Sequence, residues 1–142
     1  MKGIKMLKQK YNDDEIQNEQ IKKLYNIAKS VAVPQRLNEQ MCFGGVGAAV
    51  LTKQGNIYTG VCIDTDCSLG MCAERNALST MIANGEIDID IVIAVNKKGK
   101  VLPPCGACRE FMWQFNNSNN IKVVIDNKGT TVNLEELIPF PY

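Results

Sequence analysis

No histidine occurs among the 142 residues, so any metal this chain binds must be held by thiolates or carboxylates. An excess of charge of one sign is also missing. With 16 Lys plus Arg against 15 Asp plus Glu there is no broad attraction for a polyanion, which argues against nucleic acid as a partner. No stretch approaches the roughly 18 apolar residues of a membrane span, and Met1-Lys2-Gly3-Ile4-Lys5-Met6 carries charge where a secretory signal needs an apolar run. The expected location is the cytoplasm, away from membranes. Internal repeats and flexible linkers are lacking too. Residues 1–142 therefore read as one domain, of a size that buries about 70% of its extended surface, with 1–12 as a candidate disordered extension.

What is present begins with six cysteines, Cys42, Cys62, Cys67, Cys72, Cys105 and Cys108. In an intracellular chain of this length metal binding is a better reading than disulfides, so the thiols are expected to be reduced. Three of them fall in two short motifs, Cys72-Ala73-Glu74 and Pro104-Cys105-Gly106-Ala107-Cys108. Two cysteines separated by two residues at a helix start can turn both sulfurs to one ion, and a second helix start can bring the third. Aligned N–H groups at each helix end favour the thiolate form.

Three thiolates leave one position of a tetrahedral zinc open for water. Glu74 stands two residues past the first ligand, near enough to move that water's protons without taking its place. Three thiolates around Zn²⁺ also leave a net negative site, so a nearby positive charge is wanted, and Arg75 or Arg109 can supply it. Two other readings stand beside this one. A redox dithiol accounts for Cys105-Gly106-Ala107-Cys108 but has no use for Cys72-Ala73-Glu74. A closed structural zinc site needs a fourth ligand from Cys42, Cys62, Cys67 or a carboxylate, and Cys67 lies five residues before Cys72. Otherwise Cys42, Cys62 and Cys67 are small apolar fillers. Phe111, Trp113 and Phe115 read as helix core rather than a base-stacking surface, and Lys97, Lys98 and Lys100 as a solvated turn.

The pattern along the chain is α-β-β-α-β-α-β-β, finished by a short helix. Residues 13–32 read as an amphipathic helix that Asn12 can cap, with Glu15 three residues on, Ile16, Leu24, Ile27, Ala28 and Val31 on one face, and Pro34 beyond its end. Residues 46–52 and 57–63 flank the turn Lys53-Gln54-Gly55-Asn56 as a hairpin, and Gly44, Gly45 and Gly47 imply close backbone approach. Cys72 to Ala83 is helical and stops at Asn84-Gly85. Asp90 to Val95 is a buried strand, Pro104 leads into a helix reaching Phe115, and the Asn116 to Asn120 tract breaks it. Strands at 121–125 and 130–132, then a short helix at 134–138, close the chain. Helices on both faces of one sheet are the natural packing.

On Cys72-Ala73-Glu74-Arg75, Pro104-Cys105-Gly106-Ala107-Cys108-Arg109, Val46-Gly47-Ala48-Ala49-Val50-Leu51 and Leu134-Glu135-Glu136-Leu137-Ile138-Pro139, the chain resembles the small cytidine deaminase family, including its blasticidin-S deaminase branch, over about residues 20–140. The resemblance implies a three-layer α/β/α fold around a five-stranded mixed sheet, and a homotetramer, or else a homodimer. It also implies one Zn²⁺ per chain on Cys72, Cys105 and Cys108, with Glu74 as proton shuttle and Arg75 tempering the thiolate charge. The Pro103 carbonyl would hold the amino leaving group. The activity implied is hydrolytic deamination of cytidine or deoxycytidine to the uridine counterpart plus ammonia, in pyrimidine salvage. A modified cytosine nucleoside such as blasticidin S is the alternative, and a non-catalytic zinc-stabilised subunit is an alternative of another class.

One departure stands out. Where the cytidine deaminases carry Asn-x-Glu-Asn for the ribose hydroxyls, this chain has Cys62-Ile63-Asp64-Thr65, so the amide is lost and the carboxylate is shortened. Asp64, Cys62 and Ala73 are the expected substrate contacts.

Overall fold

The computed structural model describes residues 11–115 and 118–142; the extension expected over residues 1–12 lies outside it except for Tyr11 and Asn12, as do Asn116 and Asn117 of the polar tract. In chain order the elements are α1 (Glu19–Val31), β1 (Gln35–Arg36), β2 (Met41–Thr52), β3 (Ile57–Thr65), α2 (Ala73–Ala83), β4 (Ile89–Asn96), α3 (Gly106–Trp113), β5 (Lys122–Val124), β6 (Thr131–Asn133) and α4 (Leu134–Leu137).

β2 is the spine of the sheet. β3 lies antiparallel along one of its edges, and the other edge is shared by the two-residue β1 and then β4. β4 pairs in parallel with β5, and β5 antiparallel with β6. The result is the expected mixed sheet, with principal strands in the order β3-β2-β4-β5-β6 and β1 as a sixth.

The period of two along the strands builds the two faces. Ala49, Leu51, Ile91, Ile93 and Val95 face α1, where Leu24, Tyr25 and Ala28 are fully buried. Ala48, Val50, Val92 and Ala94 face the opposite way, against Ala77, Leu78 and Met81 of α2, Met112 of α3 and Leu134 of α4. Each large apolar side chain buried in this way contributes about 1.5–3 kcal/mol relative to exposure. The expected three layers are formed. Phe111, Trp113 and Phe115 pack against the second cluster as expected, while Lys97, Lys98 and Lys100 are exposed.

Two element starts and one short strand differ most from the sequence reading. α1 begins at Glu19 rather than residue 13, because the Asn18 side chain accepts from the N–H groups of Gln20 and Ile21 and so wins the capping role from Asn12. Asn12 instead binds the Asp14 side chain, and a separate turn, Ile16 N–H to Asp13 O at 3.1 Å, buries Ile16 on its own. β2 starts at Met41, five residues early. Its register shifts between Phe43 and Gly47, and Gly44 sits at φ +82° there, with a Cβ that would fall 2.1 Å from the Val33 carbonyl oxygen. β1, two exposed polar residues, has no periodicity to announce it.

Candidate active site

Two helix starts meet at one end of the sheet. α2 is drawn down onto β3 at Gly60, where a Cβ would come within 2.2 Å of the Ala77 amide nitrogen. Asn76 fixes the same contact from the helix side, its Oδ1 accepting the Val61 N–H at 2.9 Å. No sequence pattern singled out Asn76, since a lone polar residue on a helix carries no periodic signal. This docking sets the position of the first turn of α2. Cys72 is its N-cap residue in extended conformation, Ala73 is buried, and Glu74 is only 6% exposed. α3 starts the same way, with Cys105 as N-cap and Cys108 fully buried one turn on. Neither capping cysteine uses its sulfur to cap, so both thiols stay available while the positive ends of the helices face them.

The three sulfurs converge. Cys72 and Cys105 Sγ stand 3.4 Å apart, Cys105 and Cys108 Sγ 3.5 Å, and all three lie within 4.8 Å of one another. A tetrahedral ion with Zn–S bonds of 2.3 Å asks for sulfur separations of about 3.8 Å, close to these and far above a disulfide bond. The donor set and its spacing fit one zinc ion. Among the described residues this is the cluster that could hold a metal, and Cys67 is not part of it. Cys67 is exposed, with its sulfur 3.5 Å from the Thr65 hydroxyl, so it is neither a fourth ligand here nor an apolar filler. Cys42 and Cys62 are half-buried.

Glu74 closes the site. One carboxylate oxygen lies 3.7 Å from Cys108 Sγ, and burial raises the carboxyl pKa above the ordinary range. Burial likewise raises the Cys108 thiol, and the Glu74 charge beside it adds to the rise. Arg75 turns toward the same sulfurs: burial works against its charge, yet Cys72 and Cys108 hold the guanidinium in its charged form more firmly than usual. Its Nε is buried with no hydrogen-bond partner among the described residues.

The other arginine behaves differently. Arg109 Nε donates to the Pro104 carbonyl at 2.8 Å and Nη1 to the Leu137 carbonyl at 3.1 Å. Pro103 is exposed in the loop before Cys105, and Pro104 is buried. On β3, the Cys62 sulfur accepts the Val46 N–H at 3.2 Å and lies 3.7 Å from Asp64. Asp64 is exposed in a shallow cleft with Arg36, Glu39 and Cys42. Among the described residues, the side-chain polar contacts of Cys62 and Asp64 run to Val46 and to each other, not to Cys72, Cys105 or Cys108.

Residues 18–125 match the family model described as the cytidine and deoxycytidylate deaminase zinc-binding region. The chain belongs to this family. A blasticidin-S deaminase of Bacillus cereus is 32% identical over 106 residues, 68% of this chain and 76% of that protein. A cytidine deaminase of Halalkalibacterium halodurans is 35% identical over 99 residues, 66% of this chain and 74% of that one. Among solved structures, the cytidine deaminase of Bacillus anthracis superposes with a TM-score of 0.65 at 26% identity, covering 86% of this chain and 89% of that one. That of Mycobacterium leprae, at 23% identity and TM-score 0.68, shares the fold over 83% of this chain and 96% of that one. This deaminase is a zinc-dependent aminohydrolase acting on cytidine-type substrates.

Proposed function

We propose that the chain deaminates free cytidine and deoxycytidine, replacing the exocyclic amine with oxygen from water and releasing ammonia. The observation that carries this reading is the Glu74 carboxylate, buried and 3.7 Å from one of three convergent sulfurs. A zinc ion held by Cys72, Cys105 and Cys108 supplies the Lewis acidity that makes water nucleophilic at neutral pH. Glu74 takes the proton from the attacking water and returns it to the ring nitrogen, and a second transfer by the same carboxylate lets the amine leave as ammonia. Burial suits it to both duties, because a raised pKa makes its carboxylate a stronger base and its carboxylic acid persist closer to neutrality. Arg75 offsets the charge of the thiolates, and the Pro103 carbonyl, which a proline retains, accepts a hydrogen of the departing amine.

A second reading, a modified cytosine nucleoside such as blasticidin S, is favoured by Cys62. With its sulfur committed to the Val46 N–H, β3 offers no side-chain amide to a sugar hydroxyl and leaves Asp64 as the polar contact. The remaining parts of the proposal are a single domain and a cytoplasmic, homotetrameric or homodimeric enzyme of pyrimidine salvage. The nearly complete exposure of Leu69, Phe140 and Tyr142 supports assembly.

Ammonia release from zinc-loaded protein, measured against cytidine, deoxycytidine, cytosine, blasticidin S and adenosine, tests both readings. Turnover of cytidine and deoxycytidine is expected. Turnover of blasticidin S alone selects the second reading, and silence across the panel with zinc bound points to a non-catalytic subunit.

A further inference from the structure

The geometry points to Arg109 as a positioning residue that sets the pitch of the loop carrying Cys105, and so the grip of the chain on zinc. It rests on the three-sulfur site holding that ion. The last anchored amide before the loop is Leu102 N–H, which donates to Ala94 O at 2.9 Å, and α3 does not begin until Gly106. Between them stand Pro103 and Pro104, neither of which has an N–H to donate.

In this stretch the proline rings fix φ, and the direction in which Cys105 leaves depends on ψ of Pro104. The Pro104 carbonyl reports that angle, and Arg109 Nε holds it at 2.8 Å. The guanidinium is in turn anchored from outside the loop, by Nη1 to Leu137 O at 3.1 Å. Leu137 ends α4, and the start of α4 is tied down by the Asn133–Glu136 capping box, by Leu134 N–H to Ile121 O at 2.9 Å and by the fully buried Leu134 side chain. Sheet, α4, Arg109, Pro104 and Cys105 thus form one connected path. A planar fork holds two carbonyls in fixed relation, whereas the donors of an ammonium rotate on a flexible stem.

Next to it, Glu110 receives the Tyr142 N–H, so α3 also holds the C-terminal tail, through a contact independent of the loop. The two contacts can be separated. The experiment is zinc transfer from the loaded full-length protein to a chromophoric chelator, with far-UV circular dichroism confirming the fold. Arg109→Ala is expected to release zinc about tenfold faster, the low end of what a residue supporting a metal ligand contributes. Millimolar guanidinium should slow that release again. Arg109→Lys should also release faster than the parent, and deletion of Pro139–Tyr142 should leave the rate unchanged.

Parental release rates in both Arg109 variants overturn the proposal, as does a tail deletion that speeds release as much as Arg109→Ala. Should Arg109→Ala not fold, the lysine variant and the tail deletion decide. No substrate enters the measurement, so its outcome is separate from whether the protein deaminates cytidine.

Discussion

A carboxylate at position 74 has been taken almost completely out of water, and its chemistry follows from that. Because burial raises its pKa, the acid limb of kcat/KM is expected above the ordinary glutamate value of about 4.3, read from a pH–rate profile. Glu74→Gln should keep zinc and lose about a hundredfold to ten-thousandfold in kcat, the usual share of a positioned acid–base group. Metal analysis of the same preparation separates a lost proton shuttle from a lost metal. Cys67→Ser provides the complementary check: with an exposed thiol turned to Thr65, its zinc content should equal that of the parent. At this scale the sequence was most readable where spacing is itself the chemistry. Cys72, Glu74, Cys105 and Cys108 converge because helix starts and two-residue gaps leave little freedom. Exposure is not written in spacing. Cys67 reads as a filler because cysteine usually is one, and spacing alone lets either Arg75 or Arg109 supply the positive charge, whereas the structure gives them different partners, sulfurs for Arg75 and carbonyls for Arg109.

Among the elements, the docking of α2 on β3 decides where Cys72 and Glu74 stand. Gly60→Val should push the helix off the strand, because the new Cβ meets backbone rather than a movable side chain. A loss of at least about 1–3 kcal/mol in urea unfolding is expected, the range for overpacking, with weakened zinc retention. A parental midpoint would show that α2 is not held down there. At the far end of the hairpin, Glu86 joins the loop after α2 to the β2–β3 turn, accepting from Tyr58 Oη at 2.7 Å and from the Asn56 side chain. The Thr52 hydroxyl, then Tyr58 and Asn56, outweigh burial and hold its carboxyl below the ordinary value. A lowered folded-state pKa contributes stability above the unfolded pKa and loses it as pH falls through the folded one. Glu86→Gln should therefore lower Tm at pH 7, and the gap to the parent should close in acid, below about 4.3. A gap independent of pH would refute the ionic part of this account. Helix and strand identities were legible from periodicity here, whereas edges were not. Asn12 has the better capping pattern in sequence, with Glu15 three residues on, yet the burial of Ile16 in its own turn leaves Asn18 to start α1. β1 has two exposed residues and exists only because β2 extends past its bulge to offer an edge.

For the molecule as a whole, the metal is a cross-link. Cys72 and Cys105 lie 33 residues apart and arrive on different helices, both packed on the same face of the sheet. The site gathers three thiols, a carboxylate and an arginine nitrogen that has no partner among the described residues. Such a collection, with Glu74 and Cys108 buried, does not by itself hold two helix ends together. Zinc binds only where the folded chain has brought the sulfurs together, so its binding free energy adds to the stability of the fold. With free zinc a hundredfold above its dissociation constant the gain is about 2.7 kcal/mol, and it grows with the logarithm of the excess. Stripping zinc with a chelator should lower Tm, and titrating zinc back should restore it along that logarithmic curve. Cys108→Ser should flatten the curve, because the buried ligand cannot be replaced from solvent. If stripped and loaded protein unfolded at one temperature, the two helix ends would have to be held by the packing of Ala77, Leu78, Met81 and Met112 alone, and the sulfurs would be passengers on a core that is complete without them.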